Sequence, residues 1–175
     1  AFEVCGIVSL SGNVGLDVTV NNALLCAELN GRADVPVLAG SAKPLCRPAR
    51  TAAYIHGKSG LGKHVEEYTS LAPCREDAVE FTARMVKKYA GRLELVSLGP
   101  LTDVARALQK YPERIPQVAD VLIMGGGVHR GNATKYAEFN IVADPEAAAV
   151  VFSCGVHITM VGLDATHECV LPRSS

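Results

Sequence analysis

The chain has no tryptophan, and aromatic residues make up only 5% of its 175 residues. So sparse a set of rings argues against a surface that stacks successive bases of a single strand. An excess of one charge is missing too: 17 Lys and Arg stand against 18 Asp and Glu, for a net charge of −1. That balance gives no electrostatic case for nucleic acid or for an anionic membrane surface. No apolar run approaches the length of about 18 residues that marks a membrane-spanning helix. The opening AFEVCGIVSL carries neither a basic n-region nor a small-residue cleavage site, so no signal peptide is expected. None of the six cysteines (Cys5, Cys26, Cys46, Cys74, Cys154 and Cys169) belongs to a CxxC pair. Three of them sit in or beside apolar runs, where small buried hydrophobes are found. With 49% hydrophobic residues the chain can hold a core without disulfides, so reduced thiols and a cytoplasmic location are expected.

What is present alternates between strand and helix. Phe2–Leu10 reads as a strand, with Asn13 in its exit loop, where strand-end ligands bind in parallel sheets. Asp17 can cap a helix over about Val18–Asn30, with Gly31 as its C′ residue. Val35–Leu38 is a short buried strand. Residues 40–73 show no clear period and read as a long loop containing KPLCRPAR and YIHGKSGLGKH, the kind of stretch that tends to be functional or mobile. Glu76–Ala90 is the clearest amphipathic helix, with Val79, Ala83, Val86 and Ala90 on one face and Arg84, Lys87 and Lys88 on the other. Leu93–Leu98 is a strand, and Gly99-Pro100 turns into a helix at Leu101–Gln109. Val121–Met124 is the next strand. Asp144-Pro145-Glu146 opens a helix with an N-cap acid, an N1 proline and a first-turn carboxylate, and Val156–Leu163 is the last strand. The alternation predicts one α/β domain over residues 1–175, with a mainly parallel sheet and helices on both faces. The chain starts inside a strand and stops just after a new segment opens near Val170, which reads as an internal piece of a longer protein.

The chemistry concentrates in VLIMGGGVHRGNATKYAEFN, Val121 to Asn140. An apolar strand stops at Gly125-Gly126-Gly127, where the backbone can take positive φ and pass close to a ligand. The residues that follow suit a crevice better than a core. Asn132, Glu138 and Asn140 offer amides and a carboxylate at a spacing that can bracket vicinal hydroxyls. A plain turn is the alternative for the glycines, plain core for Met124, turn-capping for the two asparagines, and a solvated surface for Glu138. Gly125-x-Gly127-x-x-x-Gly131 also resembles a relaxed dinucleotide loop, which would require a helix directly after Gly131.

VLIMGGGVHRGNATKYAEFNIVADPEAA followed by VHITMVGLDATH is similar to the nucleoside hydrolase family, the inosine-uridine preferring N-ribohydrolases. LVSLGPLTDVARAL, AGSAKPLCRP with HGKSGLG, and Gly12-Asn13-Val14 extend the likeness over essentially the whole chain in collinear order. The resemblance implies a Rossmann-like α/β fold and cleavage of the N-glycosidic bond of ribonucleosides to free base and ribose. It implies a bound Ca2+ whose water attacks the anomeric carbon after a carboxylate removes its proton. By position it places Asn13, Met124, Asn132, Glu138 and Asn140 around the ribose and His56 near the base. It makes the backbone carbonyl of Leu98 a calcium ligand. Asp144 reads as a helix cap, and Asp164 and His167 as structural residues at a strand end. A homodimer or homotetramer is implied as well. The family's aspartate cluster of the type DxDPGxDD, which supplies the general base and most calcium carboxylates, is not in this sequence, nor are the family's C-terminal histidine and aspartate. The resemblance therefore implies a central segment of a hydrolase, inactive by itself and with no catalytic base among its residues. The alternatives are a non-catalytic nucleoside- or ribose-binding relative and an unrelated dinucleotide-binding module.

Overall fold

The computed structural model describes residues 2–62 and 68–170. Lys63 and His64 of the loop motif, and the segment expected after Val170, lie outside the described residues. The chain runs β1 (Ile7–Ser9), α1 (Leu16–Leu29), β2 (Val37–Ala39), α2 (Ala53–His56), α3 (Ala78–Lys88), β3 (Glu94–Ser97) and α4 (Thr102–Lys110). A 3-10 turn at Ile115–Gln117 leads into β4 (Asp120–Met124), α5 (Phe139–Ala143), α6 (Pro145–Phe152), β5 (Ile158–Val161) and α7 (Leu163–Thr166). Every described strand pairing is parallel. β1 pairs with β2, Ile7 opposite Val37, and β4 lies between β3 and β5, with Val121 opposite both Leu95 and Ile158. This is the α/β fold with a parallel sheet that the alternation predicts.

Burial follows the pleat. Successive residues of a strand face opposite sides, so Ile7 and Val37 pack with Val20 and Leu24 of α1, while Val8 and Leu38 pack with Phe81 and Met85 of α3. Helices therefore cover both faces of the β1–β2 pair. In β4, Val121 and Ile123 are each 1% exposed, against Leu101, Ala105 and Leu108 of the α4 region and Ala147 and Val151 of α6. The opposite face of this three-stranded sheet leaves Val96 60% and Val161 39% exposed.

Several elements differ from their sequence reading. The first strand is confined to Ile7–Ser9, and Phe2 is 89% exposed. Its partner explains the short ladder: the Ile7 N–H donates to the Pro36 carbonyl at 2.9 Å, and Pro36 has no N–H to return. Asp17 is not the cap of α1. The helix starts at Leu16 behind an extended Gly15, which puts Asp17 within the first turn, where its charge meets the helix dipole. Gly31 does follow the helix at φ +65°. The 40–73 stretch contains α2, and Cys74 extends the sheet by a bridge to Leu38. In α3, Asp77 accepts from the N–H groups of Val79 and Glu80, both at 3.0 Å, and Ala83 and Val86 are buried as expected. Ala90 lies beyond the helix end and is exposed, and Phe81 and Met85 fill the buried face instead. No cysteine is a buried hydrophobe: Cys5 and Cys154 are partly covered, and the other four are exposed thiols.

Candidate functional site

Parallel strands all point their C-terminal ends the same way, and the loops leaving those ends enclose a crevice. Asn13 leaves β1, Leu98 leaves β3, and Met124 ends β4. These three line one cavity of about 230 Å³ together with His56, Asn132, Glu138 and Asn140. Every residue that the sequence assigned to substrate or metal thus faces the same space. A second cavity, lined by Ser11, Arg50 and Thr102 among others, encloses about 10 Å³, room for about one water.

The loop from Gly125 to Ala137 stays in turns, and no helix begins until Phe139. The dinucleotide-loop reading is therefore wrong, since there is no helix N-terminus after Gly131 to receive a pyrophosphate. Two glycines set the loop's path. Gly126 has φ +72°, with Met160 beneath it. A Cβ at Gly131 would run into the backbone of Ala137 and the carbonyl of Thr134. Four N–H groups close the loop: those of Asn132, Ala133 and Thr134 donate to the Ala137 carbonyl, and that of Gly131 to the Lys135 carbonyl.

Glu138 caps α5 and is 3% exposed. Its Oε2 accepts from the Gly126 N–H at 3.1 Å and from the Ile141 N–H at 3.2 Å. One carboxylate oxygen thereby locks the glycine loop to the start of a helix, and Oε1 has no partner among the described residues. Asn140 is 8% exposed and donates through Nδ2 to the Met124 carbonyl at 2.9 Å and the Leu98 carbonyl at 3.2 Å. This ties the ends of β4 and β3 together and leaves Oδ1 as an uncommitted acceptor. Among the described residues no buried side-chain N or O lacks a partner, so these two oxygens keep some exposure, and both residues line the cavity. Asn132 is committed the other way round. Its Oδ1 accepts from the Phe139 N–H at 2.8 Å, which leaves its Nδ2 as a donor. The cavity floor thus presents a carboxylate oxygen, an amide oxygen and an amide N–H, a set that fits a ligand with adjacent hydroxyls.

His56 closes α2, and its backbone carbonyl accepts from Gly62 at 2.8 Å. Ala52 donates to the Asn13 carbonyl at 2.8 Å, which holds α2 against the exit of β1. Sequence reasoning did not assign Ala52, Tyr54, Ile55, Ala133 and Phe139, which also line the cavity. The available signal was their place in sequence: Tyr54 and Ile55 directly precede His56, and Phe139 sits between Glu138 and Asn140.

The residues read as structural are anchors outside the cavity. Asp144 is fully buried and accepts from the Ala147 N–H at 3.1 Å, the Leu45 N–H at 2.9 Å and the Thr102 hydroxyl at 2.7 Å. It is the helix cap that the sequence indicates, and it also joins the 41–50 loop to α4. Asp164 accepts from the N–H groups of Val128 at 2.6 Å and His129 at 3.3 Å. The Val128 N–H first, then that of His129, holds its carboxyl below the usual aspartate range. His167 Nδ1 lies 2.7 Å from the Arg130 guanidinium.

Calcium takes about six to eight oxygen ligands, chiefly carboxylates and carbonyls. The cavity offers the Leu98 carbonyl, which already accepts from Asn140. Among the described residues no group of three His, Cys, Asp or Glu is close enough to hold a metal. Asp103 is taken by the N–H and hydroxyl of Ser41 at 2.9 and 2.6 Å. These residues do not form a calcium site by themselves.

The comparisons agree on one family. The model described as inosine-uridine preferring nucleoside hydrolase matches residues 1–175. The pyrimidine-specific ribonucleoside hydrolase RihA of Shewanella woodyi is 43% identical over 168 residues, which are 96% of this chain and 54% of that protein. A plant nucleoside hydrolase, PpNRh1, superposes with a TM-score of 0.90 at 34% identity, over 95% of this chain and 53% of that one. A purine-preferring ribonucleoside hydrolase from Gardnerella vaginalis gives a TM-score of 0.88 at 36% identity, over 93% and 53%. The chain spans about half the length of the relatives it matches. With the family model covering its whole length, the chain belongs to the inosine-uridine preferring nucleoside hydrolase family.

Proposed function

We propose that the protein carrying this chain hydrolyses the N-glycosidic bond of ribonucleosides to free base and ribose, and that this chain supplies the ribose grip. The observation that carries the reading is the pattern of committed and uncommitted atoms on the cavity floor. Glu138 Oε1 and Asn140 Oδ1 are left to accept from ribose hydroxyls, and Asn132 Nδ2 is left to donate. Asn13 and Met124 complete the wall, and His56 stands at the base side. Departure of the base leaves positive charge on the ribose ring, as in other glycoside hydrolyses. A fixed carboxylate beside the hydroxyls favours that charge more than it favours the neutral substrate, and this difference is what lowers a barrier. The positions are preset, because each gripping side chain has its other atoms tied to backbone.

Calcium enters the proposal with the Leu98 carbonyl as one ligand; its carboxylate ligands are not among the described residues. When bound, the ion would supply an activated water. A homodimer or homotetramer is part of the same proposal. No described helix is long and apolar enough to cross a membrane.

A second reading, a ribose- or nucleoside-binding protein without turnover, rests on Glu138 being the one carboxylate among the described residues that line the cavity, with its Oε2 spent on the Gly126 and Ile141 N–H groups. Reducing-sugar release from inosine and uridine by the whole protein that carries this chain, with calcium and then with a chelator, separates the two. Calcium-dependent release supports hydrolysis. Binding without release under both conditions supports the second reading.

A further inference from the structure

Arg130 has an unusual partner. A guanidinium only donates, so an arginine ordinarily pairs with a carboxylate. Here Nη2 of Arg130 meets the ring Nδ1 of His167 at 2.7 Å, and among the described residues no carboxylate takes it. Arg130 has no acceptor to offer, so Nδ1 must accept and the imidazole proton sits on Nε2. An imidazolium carries a proton on both nitrogens and would meet Arg130 with like charge alone.

This contact is the last of three that fasten the loop after β4 to α7. The Leu163 N–H donates to the Gly126 carbonyl at 2.9 Å. Asp164 accepts from the N–H groups of Val128 and His129. His167, the C-cap residue of α7, takes Arg130. Past Arg130 the loop turns on itself, with the Gly131 N–H on the Lys135 carbonyl and the Asn132 N–H on the Ala137 carbonyl. Arg130 is therefore the final point of attachment to α7 before Asn132. The first contact is backbone to backbone and the second uses a carboxylate that stays charged near neutrality. The third exists only while the imidazole is neutral. The charged and titratable groups at this corner are Arg130 and His129 on the loop, Asp164 in α7 and Glu168 beside His167. The strand packed on α7, β5, contributes Ile158, Thr159, Met160 and Val161, none of which titrates.

We propose that His167 is a positioning residue for the ribose grip, a proton-sensitive clasp that fixes the Asn132 loop while its ring is neutral and releases it on protonation. Its bearing on ribose rests on the reading proposed above; its hold on the loop does not.

The test compares the unmodified chain, His167→Asn, His167→Ala and His129→Asn at about pH 8 and about pH 5.5, either side of the ordinary histidine value of about 6.5. In His167→Asn the side-chain Oδ1 takes the place of Nδ1, accepts from Arg130 and does not titrate. Nuclear magnetic resonance on the free 15N-labelled chains follows the signals of Arg130, Gly131 and Asn132, and calorimetry measures ribose affinity. In the unmodified chain those signals should move between the two pH values. Ribose should bind roughly twofold to tenfold more weakly at the lower pH, the worth of one hydrogen bond. His129→Asn should keep that pH step. His167→Asn should lose it and bind at both pH values as the unmodified chain does at the higher one. His167→Ala should bind weakly at both. A pH step in His167→Asn as large as in the unmodified chain, or loop signals of the unmodified chain that ignore pH, would overturn the clasp. Loop signals that behave as expected in a chain that binds no ribose at either pH would overturn the ribose reading alone.

Discussion

Glu138 does two jobs with two oxygens, and a pair of substitutions separates them. In Glu138→Gln the amide oxygen must take the place of Oε2, because the N–H groups of Gly126 and Ile141 both require an acceptor there. The amide NH2 then occupies the place of Oε1 and offers a donor where a ribose hydroxyl needs an acceptor. The fold should survive at a cost of about 1 kcal/mol or less, the difference between a charged and a neutral acceptor. Glu138→Ala removes the N-cap, worth about 1 kcal/mol. The bond lost with the cap is the one to the Ile141 N–H. The Gly126 N–H loses its acceptor as well, at about 1–3 kcal/mol when fully desolvated, for a total of about 2–4 kcal/mol. For a domain of this size each kcal/mol shifts Tm by about 2–4 °C. Thermal unfolding should therefore place the Ala variant roughly 5–15 °C below the parent, and the Gln variant within a few degrees of it. Nucleoside affinity should fall in both. In the Gln variant the loss should be about tenfold to a hundredfold, the worth of a hydrogen bond to a charged group. A Gln variant as unstable as the Ala variant would refute the assigned role of Oε2. A stable Gln variant with unchanged affinity would refute the role of Oε1.

Asn140→Ala should weaken ribose binding and loosen the β3–β4 ends, whereas Asn140→Asp should be the less stable of the two, because it sets a carboxylate against the Leu98 and Met124 carbonyls; urea unfolding ranks them. Asp144→Ala strands the three donors of a fully buried carboxylate and should cost about 3–5 kcal/mol, while Thr102→Val, which removes one of those donors, should cost about 1.5–3 kcal/mol; both are read by chemical denaturation. Asp164 has a depressed folded pKa, held down first by the Val128 N–H. Its stabilising contribution is therefore complete above the ordinary aspartate value of about 3.9 and fades as pH falls through the lower folded value. Asp164→Asn should lower stability near neutrality, where this contribution is complete, and flatten the acid limb of a stability–pH curve below about pH 4; an unchanged acid limb would count against the loop anchor.

The elements readable in sequence are those whose signals are local. The opposed faces of α3, the Asp144-Pro145 start of α6, and the glycine stop after Met124 each lie within a few residues of the structure they dictate. The α2 helix escaped because its four residues, Ala53–His56, are too few to show a period. The first strand was overread because its apolar residues matched a pattern, while the limit on pairing came from Pro36, far along the chain. The cavity residues were legible through family likeness, but their atomic roles were not. That Glu138 spends one oxygen on Gly126 and keeps the other, or that Asp144 reaches Leu45 and Thr102 as well as its own helix, depends on packing between segments distant in sequence. Tyr54 carried no signal beyond its place next to Ile55 and His56.

The most direct test of the ribose grip is a titration followed by nuclear magnetic resonance on the 15N-labelled chain. Ribose, and then inosine, would be added while the side-chain amide signals of Asn132 and Asn140 and the backbone signals of Gly126 and Ile141 are observed. The account predicts saturable shifts in that set with both ligands, and shifts at His56 with inosine alone. Saturable shifts elsewhere with these signals fixed, or no shifts at any concentration, would contradict it.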